Sequence, residues 1–367
     1  MTEAPSIRHR TTLTQHLLRE VELHTEGGGK VAGIIAEIAT ACKEIRAQLA
    51  QVGLGPLAGM QGAVNVQGEA VHKLDWFANQ VLKEHFAGSG LLCTLISEEM
   101  EEISHLDGDC GRAEHVLCYD PMDGSSNLDV DGAVGTIFSI RRRGDDDEHA
   151  QPAEVYRAGK EQVAAGYVLY GPACMLVYAV GGNVHGFTLD SAVGEFFLSH
   201  PDIRMPEQGK EYSANLARLD AWDPAFRAFV ERVSYGGDGG RPYSLRYIGA
   251  LVADFHRVLL RGGVFFYPGD RKNPNGKLRL LYEAAPLAFL AEAAGGAASD
   301  GRRPILDIVP EQLHQRTPLV IGSSSEVETI EGLLAGGSAA GAPTRKAARS
   351  VAASSSRSAS ASKGAMS

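Results

Sequence analysis

The chain has 367 residues, 44% of them apolar, and a formal charge of −10. That length supports one large or two medium domains with sizeable cores, and the acidic balance argues against general affinity for nucleic acid, which needs a basic face. No apolar run approaches the roughly 18 residues that span a bilayer, and MTEAPSIRHRTTLTQ carries no hydrophobic signal region, so the expected setting is the cytoplasm, with no membrane partner.

In chain order, TTLTQHLLREVEL (11–23) predicts a helix opened by a capping box of Thr12 and Gln15. EGGGK (26–30) reads as a break. Val31, Ile34, Ile35, Ile38, Cys42, Ile45 and Leu49 then recur at helical spacing. Residues 53–68 are Gly-rich and predict a mobile loop; their spacing is wrong for a dinucleotide fingerprint, and a helix precedes them instead of a strand. A helix over 69–86 follows. LLCTLISEE (91–99) and HVLCY (115–119) predict two buried strands, each ending in acids. From 134 to 200, short apolar runs alternate with turns, Gly181-Gly182-Asn183 among them, and predict an antiparallel sheet; 143–162 is polar and reads as an exposed loop.

The second half mixes helices (DPAFRAFVERV, GALVADFHRVLLRGG, LLYEAAPLAFLAEAAGG) with strands (GGVFFYPG, PLVIGS). From Gly336 the chain is Ser/Ala-rich, with five cations and no acid, and predicts a disordered tail over 336–367. Cys42, Cys93, Cys110, Cys118 and Cys174 are scattered with no C-x-x-C pair, which predicts structural thiols instead of a disulfide framework or zinc site. None of the twelve histidines falls in H-E-x-x-H, and none is assigned to metal.

The chemistry concentrates in ISEE (96–99) and YDPMDGSSN (119–127). Each piece alone is an ordinary turn or solvated strand end. Together, both following apolar strands, they predict Glu98, Glu99, Asp120 and Asp123 close to one another. Such carboxylates repel unless cations sit between them. Oxygen-only ligation points to Mg²⁺ or Mn²⁺. Pro121 fixes the backbone so that the Met122 carbonyl can face a metal, and Gly124 clears space for an anion at Ser125 and Ser126. A helix starting here would add its dipole. This layout suits metal-assisted hydrolysis of a phosphate ester, with a spare carboxylate as base. GKLRLLYE (276–283) offers Lys277 and Arg279 for the anion and Glu283 as a further acid; RPYSLRYIG and VFFYPG offer Arg246, Tyr247 and Tyr267.

ISEE with DPMDGSSN resembles the lithium-sensitive, metal-dependent sugar phosphatase superfamily. RYIGALVADFHRVLLRGGVFFYP and GKLRLLYEAAPLAFLAEAAGGAASDG narrow this to the class I fructose-1,6-bisphosphatase branch, and no W-D-x-A motif of the inositol monophosphatase branch occurs. The likeness covers about 12–334. It implies a layered αβαβα sugar phosphatase fold with two mixed-sheet subdomains (1–200, metal-binding and regulatory; 201–335, substrate-binding), a homotetramer, and Mg²⁺-dependent hydrolysis of fructose 1,6-bisphosphate in gluconeogenesis or carbon fixation. Sedoheptulose 1,7-bisphosphate is the alternative sugar, and a monoester phosphatase of the same superfamily the alternative activity. By the resemblance, Glu69, Glu98, Asp120, Met122 (through its carbonyl), Asp123 and Glu283 are metal ligands, and Asp75 and Glu99 activate the water. Asp123, Gly124, Ser125, Ser126 and Arg279 bind the reacting phosphate. Asn215, Tyr247, Tyr267 and Lys277 bind the sugar and its remote phosphate, with Arg246 reaching into a neighbouring subunit's site. The chain departs from the family in Met100 after the two glutamates and in Asn-Leu-Ala-Arg at 215–218, which removes a tyrosine from the remote-phosphate site. Glu114 and His115 stand where animal enzymes place Lys and Tyr at a nucleotide site that keeps Arg142, and the 143–162 loop lacks a cysteine.

Overall fold

The computed structural model describes residues 10–22, 27–51, 54, 60–64, 70–106, 113–143, 155–236 and 241–336. Thr12 opens the first helix, α1 (Leu13–His16), through the expected capping box: its hydroxyl accepts the Gln15 N–H, and the Gln15 side chain reaches back to the Thr12 N–H. The helix then widens into a π-helical turn, Leu17–Val21. Helix α2 (Gly28–Leu49) begins three residues before the expected start, so among the described residues of the break only Gly27, left-handed at φ 70°, stays outside it. Its stripe of Val31, Ile34, Ile35, Ile38, Cys42 and Ile45 is wholly buried.

The expected helix over 69–86 is shorter than the sequence pattern: α3 is Lys73–Phe86, and Ala70–His72 instead form strand β2, paired antiparallel with β1 (Met60–Val64). Backbone pairing overrides helical propensity there. Much of the 53–68 segment, Glu69 and 337–367 lie outside the described residues.

The first large sheet comprises β3 (Thr94–Ser97), β4 (Ser104–His105), β5 (His115–Asp123), β6 (Val134–Arg142), β7 (Gln162–Tyr170), β8 (Cys174–Val180), β9 (Asn183–Asp190) and β10 (Glu195–His200), in the order β10-β9-β8-β7-β6-β5-β3-β4. From β5 to β10 it is the antiparallel meander expected from 134–200, and Gly181-Gly182 turn β8 into β9; only β3 and β5 run parallel. The second sheet, in the order β12-β11-β13-β17-β15, is mixed: β11 (Glu211–Ser213), β12 (Ser244–Leu245), β13 (Val264–Tyr267), β15 (Ala297–Ser299) and β17 (Leu319–Gly322). A two-stranded ladder joins β14 (Leu278–Arg279) to β16 (Arg316–Thr317).

Strand alternation sorts the side chains into layers. In β6, Phe138 and Ile140 face a core shared with α2 and α3, whereas Ile137 faces a second core. That second core is filled by helices α5 (Leu251–Arg261) and α6 (Ala285–Ala293) and by Phe265, Leu319 and Ile321 of the second sheet. On the far face of that sheet, Val264, Phe266 and Val320 pack under α4 (Pro224–Tyr235) and α7 (Ser324–Leu334). The order is helix, sheet, helix, sheet, helix: the αβαβα stack that the resemblance implies. Among the described residues no helix is long and apolar enough to cross a membrane.

Cys42, Cys118 and Cys174 are buried free thiols, as expected. Cys93, just before β3, is instead disulfide-bonded. Pairing by tertiary approach leaves no C-x-x-C signature. Cys110 lies outside the described residues.

Candidate active site

The YDPMDGSSN segment does not end a strand, as its composition suggests. β5 runs to Asp123, and the register against β6 slips between Asp120 and Asp123. Pro121 and Met122 are absorbed as a bulge, a device that re-aims side chains. The Asp120 carboxylate accepts the Met122 N–H at 2.9 Å, and the Pro121 carbonyl accepts the Thr136 hydroxyl at 2.9 Å. Asp120 and Asp123 are thereby fixed in a fully buried strand.

The third acid comes from far along the chain. After β14 the backbone makes one π-helical turn, Leu280–Ala284, before α6 begins, and Glu283 lies in that turn. Carboxylate oxygens of Asp120, Asp123 and Glu283 come within 4.8 Å of one another, all three residues buried. Glu98 follows directly on β3, the parallel neighbour of β5, and its N–H donates to the Tyr119 carbonyl at 3.0 Å. Its carboxylate pairs with Arg279 at 2.6 Å, while the Arg279 N–H donates to Glu283 at 2.5 Å. Arg279 thus spans two of the acids.

Burial and mutual repulsion set the electrostatics. Burial first, then Glu98, Asp123 and Glu283, holds the Asp120 carboxyl well above the usual carboxylate range. Burial pushes Asp123 up to about 7, against the opposing Val252 N–H. Burial pushes Glu283 up to about 8, with Arg279 opposing it and Asp123 and Glu98 adding to it. A set of hard oxygen donors whose ionised form is disfavoured fits a divalent cation, which would supply the missing positive charge.

Beside this cluster, Gly124 is left-handed at φ 78°, and a Cβ there would fall 2.3 Å from the Ala250 Cβ. Ser125 and Ser126 follow in a 3-10 helix, Ser125–Val130, so the full α-helix dipole considered at that point is absent; a short 3-10 turn aligns few peptide dipoles. It is α5 that points at the motif, its Val252 N–H donating to Asp123 at 2.6 Å. Asp75 is buried in the first turn of α3, and one turn on, Asn79 accepts the Tyr119 hydroxyl at 2.9 Å, tying that helix to β5 beside Asp120. Glu99, half-buried, follows Glu98, its N–H donating to Ser97 Oγ at 3.3 Å. The His314 ring nitrogen Nε2 lies 2.9 Å from the Met100 carbonyl, which ties this turn to the segment before β16.

A second group of side chains stands around Tyr247. Burial, with Tyr267 and Asp254 adding to it, pushes the Tyr247 hydroxyl up to about 12, against a hydrogen bond from Asn215 and the nearby charge of Arg218. Asn215 caps a 3-10 helix, Leu216–Ala221, and Tyr267 closes β13. Arg246 is exposed, its N–H held by the Tyr212 carbonyl at 2.9 Å. Lys277 is half-buried and lies immediately before β14. Gly276, left-handed at φ 74°, makes that entry by passing against the Thr317 carbonyl.

Sequence reasoning passed over Asp254. It is buried in the first turn of α5 and accepts the N–H groups of Ile248 at 3.0 Å and Gly249 at 3.0 Å and the Ser213 hydroxyl at 2.7 Å. Its signal was an acid on the otherwise apolar start of a helix.

A family model described as fructose-1-6-bisphosphatase, N-terminal domain, matches residues 11–201, and its C-terminal counterpart matches 205–335. The chain is 49% identical over 334 residues to a class 1 fructose-1,6-bisphosphatase of Oleidesulfovibrio alaskensis, covering 88% of this chain and 98% of that one. It is 47% identical over 329 residues to that of Microcystis aeruginosa, covering 89% and 93%. A cytosolic fructose-1,6-bisphosphatase of a Saccharum hybrid is 45% identical over 330 residues, covering 89% and 96%. The crystal structure of Leishmania major fructose-1,6-bisphosphatase in holo form superposes with a TM-score of 0.83 at 36% identity, covering 89% of this chain and all of that one.

Proposed function

The chain belongs to the class 1 fructose-1,6-bisphosphatase family, and from that premise we propose how its own residues carry out hydrolysis of fructose 1,6-bisphosphate to fructose 6-phosphate and phosphate. The observation that carries the reading is the convergence of Asp120, Asp123 and Glu283, all buried, with their carboxyls displaced upward. These three, with Glu98 and the Met122 carbonyl, would hold Mg²⁺ or Mn²⁺, and Glu69 would add a ligand. Bound there, the divalent ions would neutralise phosphate oxygens, acidify a water and stabilise the departing alkoxide.

The protein's own groups do the remaining work. Asp75 and Glu99 take the proton of the attacking water. Gly124, lacking a side chain, lets the backbone and hydroxyls of Ser125 and Ser126 close on the reacting phosphate, and Arg279 balances its charge from the opposite side. Asn215, Tyr247, Tyr267 and Lys277 hold the sugar and its remote phosphate, and so set mainly the affinity for the bisphosphate. Arg246, exposed at the edge of this group, serves a neighbouring copy in a homotetramer acting in the cytoplasm.

The test is phosphate release from fructose 1,6-bisphosphate with Mg²⁺, with Mn²⁺ and with chelator, set beside sedoheptulose 1,7-bisphosphate and a sugar monophosphate. Metal-dependent release from fructose 1,6-bisphosphate supports the reading. Release from the monophosphate alone would overturn it.

A further inference from the structure

Arg218 lies in the 3-10 helix that Asn215 caps, and its Nη1 donates to the Asp270 carboxylate at 3.1 Å. Asp270 is not a mobile partner. It lies three residues past the end of β13, buried, and its Oδ1 accepts the N–H groups of Lys272 and Asn273, each at 2.8 Å. Those amides, Asn273 first, hold its carboxyl below the usual carboxylate range, so it stays ionised. The pair therefore clasps two segments that carry site residues: one bearing Asn215, the other running from Tyr267 toward Lys277. Only Nη1 of the guanidinium is engaged; Nε and Nη2 make no hydrogen bond among the described residues. The same guanidinium is near enough to the Tyr247 phenol to favour its ionisation.

A planar fork with one nitrogen anchored and the others open is pre-organised for an oxyanion, and arginine binds phosphate bidentately where lysine offers a point charge. The anchoring also removes much of the rotamer entropy that ordering a long side chain costs. We propose that Arg218, locked by Asp270, is a specificity-determining residue that binds the remote phosphate of the sugar bisphosphate together with Lys277, Asn215, Tyr247 and Tyr267. The inference rests on the proposed placement of the sugar around Tyr247. It assigns to the subsite a second cation from the same subunit, beside Lys277 and apart from the Arg246 of a neighbouring copy, and it gives Asp270 the part of a positioning residue.

The experiment compares wild type with Arg218→Met, Arg218→Lys and Asp270→Asn. Each is assayed with fructose 1,6-bisphosphate and Mg²⁺, for inhibition by fructose 6-phosphate, and for Tm. Arg218→Met is expected to raise KM by about 10-fold or more with kcat nearly kept, since an anchor distant from the bond being broken contributes mainly uniform binding. It should weaken fructose 6-phosphate by a similar factor and flatten the dependence of KM on salt. Arg218→Lys should recover part of both, and Asp270→Asn should shift KM in the same direction. KM and product inhibition unchanged in Arg218→Lys and Arg218→Met, with Tm falling equally in Arg218→Met and Asp270→Asn, would reduce the pair to a structural clasp and overturn the proposal. If Arg218→Met does not fold, unchanged KM in Arg218→Lys and Asp270→Asn is the overturning result. Failure of the wild type to release phosphate would instead fell the underlying reading of the site.

Discussion

The backbone N–H of Val252 donates to the Asp123 carboxylate at 2.6 Å, so an acid of the buried carboxylate cluster is held by the first turn of α5. Two residues on, Asp254 uses that same turn to grip the backbone of Ile248 and Gly249, the loop that carries Arg246 and Tyr247. In the proposed site, one helical turn would therefore set the spacing between the reacting and remote ends of the substrate. Asp254→Asn places an N–H₂ against backbone donors and leaves buried groups unsatisfied, which costs about 1–3 kcal/mol. The expected result is a KM raised by about 10-fold, a smaller change in kcat, and a lower Tm. Steady-state kinetics and calorimetry on the variant check it; unchanged KM in a folded protein would remove Asp254 from this role.

The carboxylate cluster makes stability depend on pH and metal together. Asp123 at about 7 and Glu283 at about 8 lie above their unfolded values, so the metal-free folded protein binds more protons than the unfolded chain between those limits. The sign follows: the stability these groups contribute is present at low pH and is lost as pH rises through 7 to 8. A cation replaces those protons, so its affinity rises over the same window. Thermal melts at pH 6 and 8.5, with chelator and with Mg²⁺, should show a larger Mg²⁺-induced rise in Tm at pH 8.5. An equal rise at both would contradict the coupling.

Histidine burial acts at the other end of the scale. His115, at the start of β5, is 1% exposed, and burial lowers its pKa to about 4, with neither ring nitrogen finding a partner. Glu114 opposes the shift, while Arg142 and Lys30 add to it. The folded pKa lies below the unfolded 6.5, so its contribution is complete above pH 6.5 and is lost as pH falls toward 4. His16 and His256 are lowered to about 4 in the same way. His115→Leu removes both the orphaned nitrogens and one titration; Tm should rise at pH 7, and the fall between pH 7 and pH 5 should become shallower. A Tm at pH 7 below wild type would show that the imidazole is needed there.

Gly124→Ala tests the proposed phosphate cradle. The left-handed backbone costs an L-residue about 1–2 kcal/mol, and the added Cβ would collide with Ala250, in the residue before α5. The expected outcome is a loss of kcat of about 100-fold, greater than the loss of Tm would suggest, because the collision displaces α5 from Asp123. Wild-type kcat in the variant would show that the approach is not needed.

The layered fold was legible because its cores are written in apolar spacing: the stripe from Val31 to Ile45 and the alternation of β6 survive unchanged. The acids were legible because ISEE and DPMDG follow buried strands. What could not be read is how they meet. The slip between Asp120 and Asp123 exists only against the β6 register, and the π-turn that aims Glu283 opens a helix whose composition does not mark it. Backbone donors such as the Val252 N–H leave no mark on residue type. The strand at Ala70–His72 reads as helix from its own residues because its pairing with Met60–Val64 lies outside them.

The ladder of β14 on β16 has a consequence for synthesis. Arg279 and Glu283 are made only after the first sheet, and the ladder partner of Arg279, Arg316–Thr317, is made later still. Until then Glu98, Asp120 and Asp123 share one end of a nascent half-molecule without their guanidinium counter-charge. The three-acid cluster is therefore incomplete until Glu283 has been made, some 160 residues after Asp123.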